Sequence, residues 1–153
     1  MTRVEYHTQI NAPVEEVYEY YTNPNNIQEA WPRDVVKESE DVSGSKNEEG
    51  SEMRVKGQYM GKEEMRLQVV DKEENRRLVT KQIQGPFKRW DSIQEFHGNG
   101  TNTTQIKHSI DFELPTTGKI ANMLIGSQAD NKIREALEQA AQTVKQKLES
   151  GQA

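Results

Sequence analysis

The sequence predicts an α+β domain, in which one long C-terminal helix lies against an antiparallel meander of strands. Three observations carry this. Two short helical patterns follow the first strand, within residues 14–31. Between residues 33 and 114 successive stretches alternate apolar and polar residues, the period of strands, with polar or glycine-containing breaks between them. Beyond residue 118 the period changes to that of a helix and holds to residue 149.

The elements follow in order. "RVEYHTQI" sets Val4, Tyr6, Thr8 and Ile10 on one face against Glu5, His7 and Gln9, a half-buried strand. "NAP" breaks it: Asn11 offers a cap, and Pro13 sits where a first helical turn tolerates proline. The helix "VEEVYEYYT" places Val14, Val17, Tyr18 and Tyr21 on one side and ends before "NPNN". A second short helix, "IQEAW", carries Ile27 and Trp31 inward before Pro32 stops it.

Six more strands are expected. "RDVVKESEDV" is the first, followed by the loop "SGSKNEEG". "SEMRVKGQYM" aligns Met53, Val55, Gly57 and Tyr59, and "KEEMRLQVVD" aligns Met65, Leu67 and Val69, with a hairpin turn at Gly61 between them. "NRRLVTKQIQ" comes next, then "GPF" as punctuation, and "KRWDSIQEF" and "TTQIKHSIDFEL" pair around "HGNGT". The stretch "GKIANMLIGSQADNKIREALEQAAQTVKQKLE" reads as one helix of roughly 45 Å, with Ile133, Leu137, Ala140, Val144 and Leu148 on its apolar stripe. Gly126 within it either permits a kink or close approach of a ligand, or is a local irregularity. Without repeat or linker, residues 1–153 read as one domain.

One residue breaks the alternation. His108 shares the apolar face of Ile106, Ile110, Phe112 and Leu114. On the preceding strand Trp90, Ser92, Gln94 and Phe96 share a face. The two faces coincide if the connection holds an odd number of residues or a bulge. A three-residue "NGT" loop puts Ser92 opposite His108; a slip by two puts Trp90 there. A two-residue "NG" turn would drive Asp91 and Glu95 inward, which the cost of burying carboxylates rules against. A buried imidazole needs a partner: Ser92 or Gln94 within the core, a water, or a ligand.

Composition limits the function classes. The chain is 32% hydrophobic and 29% charged with net charge −5, which argues against nucleic acid as a partner. It has no cysteine, so disulfides and thiolate chemistry are excluded. No apolar run reaches the ~18 residues of a membrane span, and no signal-peptide core is present, so a cytoplasmic protein without stable membrane insertion is expected. His7, His97 and His108 lack paired ligand spacing, so neither metal nor cofactor is expected. No nucleophile-elbow or carboxylate-dyad signature appears, and no catalytic residue is assigned.

"INAPVEEVYEYYTNPNNIQEAWP", "GPFKRW", "GNGTNTTQIKHSIDFELP" and the long last helix together resemble the START-like (SRPBCC) superfamily, with its polyketide cyclase/dehydrase-like and coenzyme-Q-binding-like members. The resemblance covers Val4 to Glu149. It implies the helix-grip fold: a seven-stranded curved antiparallel sheet around the C-terminal helix, an apolar cavity between them, and two short helices between strands 1 and 2. It implies binding of a small hydrophobic molecule such as a lipid, quinone or polyketide, more as a carrier than as an enzyme. The residues expected at the ligand are Trp31, Tyr59, Met65, Trp90, Ser92, Gln94, His108, Met123 and Leu124. Met53 and Met60 suit such a pocket too, although filling gaps in the core is the more ordinary role of a methionine. Two alternatives stand beside this reading. One is a cyclase/dehydrase-like enzyme using His108 as acid or base, which needs a second titratable group nearby. The other is a co-chaperone-like protein-interaction module with a filled cavity.

Overall fold

The computed structural model describes residues 2–33, 35–42, 48–57, 64–115 and 128–151. Strand β1 (Thr2–Ile10) leads to helices α1 (Val14–Thr22) and α2 (Pro24–Ala30). Strands β2 (Glu38–Asp41), β3 (Glu52–Lys56), β4 (Met65–Glu73), β5 (Arg77–Gln84), β6 (Arg89–Gly98) and β7 (Thr104–Glu113) follow, and helix α3 (Gln128–Glu149) comes last. The strands form one antiparallel sheet in the order β1-β7-β6-β5-β4-β3-β2. The meander runs from β2 to β7, and β1 is added beside β7. This is the seven-stranded helix-grip arrangement.

Local chemistry sets the helix boundaries. Pro13 is the N-cap of α1 without any side-chain cap bond, while Glu15 and Glu16 complement the positive end of the helix. Asn11 does not cap it, contrary to expectation; its amide donates to Glu149 Oε2 at 2.9 Å, tying α1's approach to the end of α3. The buried side of α1 includes Tyr20 beside Val17 and Tyr18. The second helix begins earlier than "IQEAW". The Asn23 side chain accepts from the Asn25 amide at 3.1 Å, satisfying an orphan donor, and Pro24 brings no amide of its own, so "NPNN" opens α2 instead of merely ending α1. Trp31 is the C-cap.

The strand expected over "RDVVKESEDV" is shorter than its alternation suggested. The Val35 and Val36 amides both donate to the Pro32 carbonyl at 2.9 Å, so the chain turns there and β2 starts only at Glu38. In β4 the pairing with β5 shifts between Arg66 and Leu67 and again between Val69 and Asp71, irregularities that bend a strand. The β6–β7 connection spans residues 99–103, five residues, and sets Gln94 opposite His108 and Ser92 opposite Ile110. The odd count was right; the three-residue loop was not. Asn99 donates to the Thr103 carbonyl at 2.8 Å, and Gly100, at φ +77, takes a conformation side-chain-bearing residues avoid.

The inner face of the sheet and one stripe of α3 make the core. Ile133, Ala136, Leu137, Ala140, Ala141 and Val144 are buried at helical spacing. Three side-chain bonds hold α3 against β1 and the segment after it: Gln142 to the Tyr6 hydroxyl at 2.7 Å, Lys145 to the Gln9 carbonyl at 2.5 Å, and the Glu149 contact already noted. The described α3 is 22 residues, about 33 Å. The earlier part of the expected helix, with Gly126, and the hairpin turn at Gly61 lie outside the described residues. Among the described residues no helix is long and apolar enough to cross a membrane.

Candidate functional site

A cavity of about 360 Å³ lies between the inner face of the sheet and α3. That is within the usual range for small-molecule sites. Val55, Met65, Leu67 and Val69 make one wall, and Ile133, Ala136, Ala140 and Val144 of α3 make the roof. The alternation of β3 and β4 and the helical stripe of α3 point these side chains inward. Val36, brought in by the turn at Pro32, joins them.

Phe87 and Trp90 stand together in the lining, with ring centroids 4.7 Å apart. The Gln82 side chain holds Phe87 in place: its amide nitrogen donates to the Phe87 carbonyl at 2.6 Å, and its oxygen accepts from the Phe87 amide at 3.2 Å. Thus "GPF" does more than punctuate. The signal was present in Gln82, three residues before Gly85, but an amide bridging back to a turn has no sequence period.

The polar part of the cavity sits on three adjacent strands. Thr80 on β5 pairs with Ser92 on β6, and Gln94 on β6 pairs with His108 on β7; all four side chains line the cavity. Ser92 Oγ and His108 Nε2 share a hydrogen bond of 2.8 Å along the diagonal between those rows. Trp31 meets the His108 ring edge to face, centroids 6.4 Å apart and planes at 84°. Burial pushes the imidazole pKa down to about 3, because the charged form would lose its water. No charged group among the described residues offsets that. At neutral pH His108 is therefore neutral, one nitrogen a donor and the other an acceptor.

Of the expected ligand residues, the structure brings Trp31, Met65, Trp90, Ser92, Gln94 and His108 to this one cavity. Tyr59, Met123 and Leu124 lie outside the described residues, as does Met60. Met53 also lines the cavity. Tyr6 stands opposite His108 on β1, but its hydroxyl is engaged by Gln142. Sequence reasoning missed Thr80, although it follows Leu78 by two on the same face. Lys132 and Glu135, both exposed, mark where the cavity meets solvent, and Asp41 and Glu52 line it as well. Among the described residues no cluster of His, Asp and Glu could hold a metal ion.

Residues 1–149 match the family described as polyketide cyclase/dehydrase and lipid transport. The chain belongs to that family. Solved structures carry the same fold. A START superfamily protein from Mycobacterium smegmatis aligns at TM-score 0.77 and 16% identity, over 97% of each chain. A protein from Thermus thermophilus aligns at 0.69 and 21%, over 94% of this chain and 97% of that one. The Zhui aromatase/cyclase from Streptomyces sp. R1128 aligns at 0.68 and 14%, over 99% and 93%. No curated protein matches the sequence. At these identities the solved structures share a fold with this chain, and its own side chains must carry any argument about chemistry.

Proposed function

We propose that this protein binds or transports a small hydrophobic molecule in the cavity between the sheet and α3. One observation carries the reading: a cavity of about 360 Å³ with apolar walls and a compact polar cluster on one side. Apolar walls supply affinity at about 25 cal/mol for each Å² of ligand surface removed from water, less the cost of ordering the ligand. Ser92, Gln94, Thr80 and His108 orient its polar end; Trp31, Met65 and Trp90 contact its body.

Carriage is favoured over catalysis by the state of His108. An imidazole held neutral down to about pH 3 is a poor proton donor, and its bonded partner, Ser92, is not titratable near neutrality. An open cavity likewise favours a ligand over the interaction-module reading.

Native mass spectrometry of gently purified protein tests the proposal, with release and identification of anything bound. A stoichiometric small hydrophobic adduct, or saturable uptake of an apolar dye by adduct-free protein, is the expected result. A clean mass combined with no dye uptake overturns it.

A further inference from the structure

The chemistry of the polar cluster says more about the ligand than that it is hydrophobic. Thr80, Ser92 and Gln94 carry hydroxyl and amide groups, each able both to donate and to accept. His108 adds its second ring nitrogen, since Nε2 is already bonded to Ser92 Oγ. These groups occupy neighbouring positions on β5, β6 and β7, so a ligand atom placed over them meets several uncharged partners at once. We infer that the ligand's buried end is an uncharged hydroxyl or carbonyl group, and that the cavity discriminates against the matching carboxylate. This inference rests on the carrier reading above.

A carboxylate entering the cluster would exchange water for neutral dipoles and find no cation there among the described residues. His108 is the one member that could become a cation, and burial holds it neutral. Lys132 is the cationic residue among the described lining, and it is exposed at the mouth. The carboxyl groups of the described lining are Asp41, Glu52 and Glu135, none of them a cation, and Glu52 is paired with Arg66 at 3.8 Å. Stripping water from an unpaired carboxylate is costly, so the acid would enter in its protonated form. At pH 7.5 that costs about three pH units relative to an ordinary carboxyl, up to roughly 10³-fold in affinity.

The test compares 1-dodecanol with dodecanoate as displacers of Nile red from the purified protein. At pH 7.5 the alcohol should bind at least 100-fold more tightly, and lowering the pH to 5.5 should narrow the gap about tenfold per unit. The alcohol's own affinity over that range controls for any effect of the other ionisable groups of the lining, Asp41, Glu52, Lys132, Glu135, Tyr20 and Tyr21. Gln94→Lys, which places an ammonium in the cluster, should swing the preference toward dodecanoate. Acid binding within tenfold of the alcohol at pH 7.5, or no swing in a folded Gln94→Lys variant, overturns the inference and leaves the carrier reading standing. Failure of the protein to take up Nile red or either ligand overturns both.

Discussion

Ser92 and His108 are bonded at 2.8 Å although neither faces the other across the sheet. Gln94 stands opposite His108, and Ile110 opposite Ser92. The imidazole reaches diagonally along the inner face, within the span that long side chains cover between neighbouring strands. The bond leaves the second nitrogen of the ring and the lone pairs of the hydroxyl to be shared with whatever occupies the cavity.

Acid should weaken the fold through His108 before it acts on the bonded carboxylates. The folded pKa, about 3, lies below the ordinary value of 6.5, so between these limits the unfolded chain holds the extra proton. Stability is full above pH 6.5 and falls as pH drops toward 3, by up to about 1.4 kcal/mol per unit. Asp111, held low by its bond to Arg3, and Glu149, held low by Lys145, start from ordinary values of 3.8 and 4.5, so their losses come later. Urea midpoints between about pH 6.5 and pH 5 should slope in the wild type, with a smaller slope in His108→Leu. Equal slopes would remove the buried neutral imidazole from the account.

Ser92→Ala strips His108 of its partner and should destabilise the protein by about 1–3 kcal/mol in chemical denaturation. The double variant Ser92→Ala/His108→Leu should recover most of that loss, since no polar group is then left without its mate. Two independent, additive losses would mean that the bond contributes nothing to the fold.

His108→Leu should bind ligand about tenfold more weakly while folding normally, the worth of one hydrogen bond. Calorimetry with the ligand recovered from the native protein reads this directly. Unchanged affinity would place the ligand's polar end elsewhere.

Gly85→Ala should disturb Phe87 through Gln82. A Cβ there would lie 2.5 Å from Gln82 Oε1, the atom that accepts from the Phe87 amide, so the clamp must open. The expected cost is about 1–2 kcal/mol in the wild type and little in a Gln82→Ala background. A full cost in both backgrounds would show that glycine is required for another reason.

Ala140→Phe projects a ring from α3 into the cavity. Dye uptake should be lost while circular dichroism and the unfolding transition remain those of a folded protein. Uptake at full affinity would locate the ligand away from the helix–sheet gap.

Much of this was legible in the sequence because alternation fixes parity. Trp90, Ser92, Gln94 and His108 reach one face for any odd connection, and the cost of burying Asp91 and Glu95 excludes the even ones. Parity says nothing about length, so three residues and five could not be separated, and the bonded partner of His108 was reached through a register it does not have. The weak alternation of "RDVVKESEDV" misled at Val35 and Val36, where two amides converge on the Pro32 carbonyl and a turn replaces a strand. Thr80 carries no signal of its own, because a threonine in a strand is unexceptional until its cross-strand neighbour, Ser92, is known. Phe87 depends on a side-chain clamp, which leaves no periodic trace.

The sheet order has a consequence for how the chain assembles. Thr2 pairs with Phe112 and Ile10 with Thr104, so β1 has no partner until β7 has been made. Among the described residues every other pairing joins strands consecutive in the chain. Closing a loop of roughly 100 residues costs on the order of 4 kcal/mol in chain entropy, beyond what the short hairpins require. A meander formed ahead of β1 would present β7 as an open edge, with a row of amides and carbonyls free to pair with another chain. Pairing with the 9 residues of β1 covers the β7 edge and passes the edge position to β1, where Lys145 of α3 takes the Gln9 carbonyl.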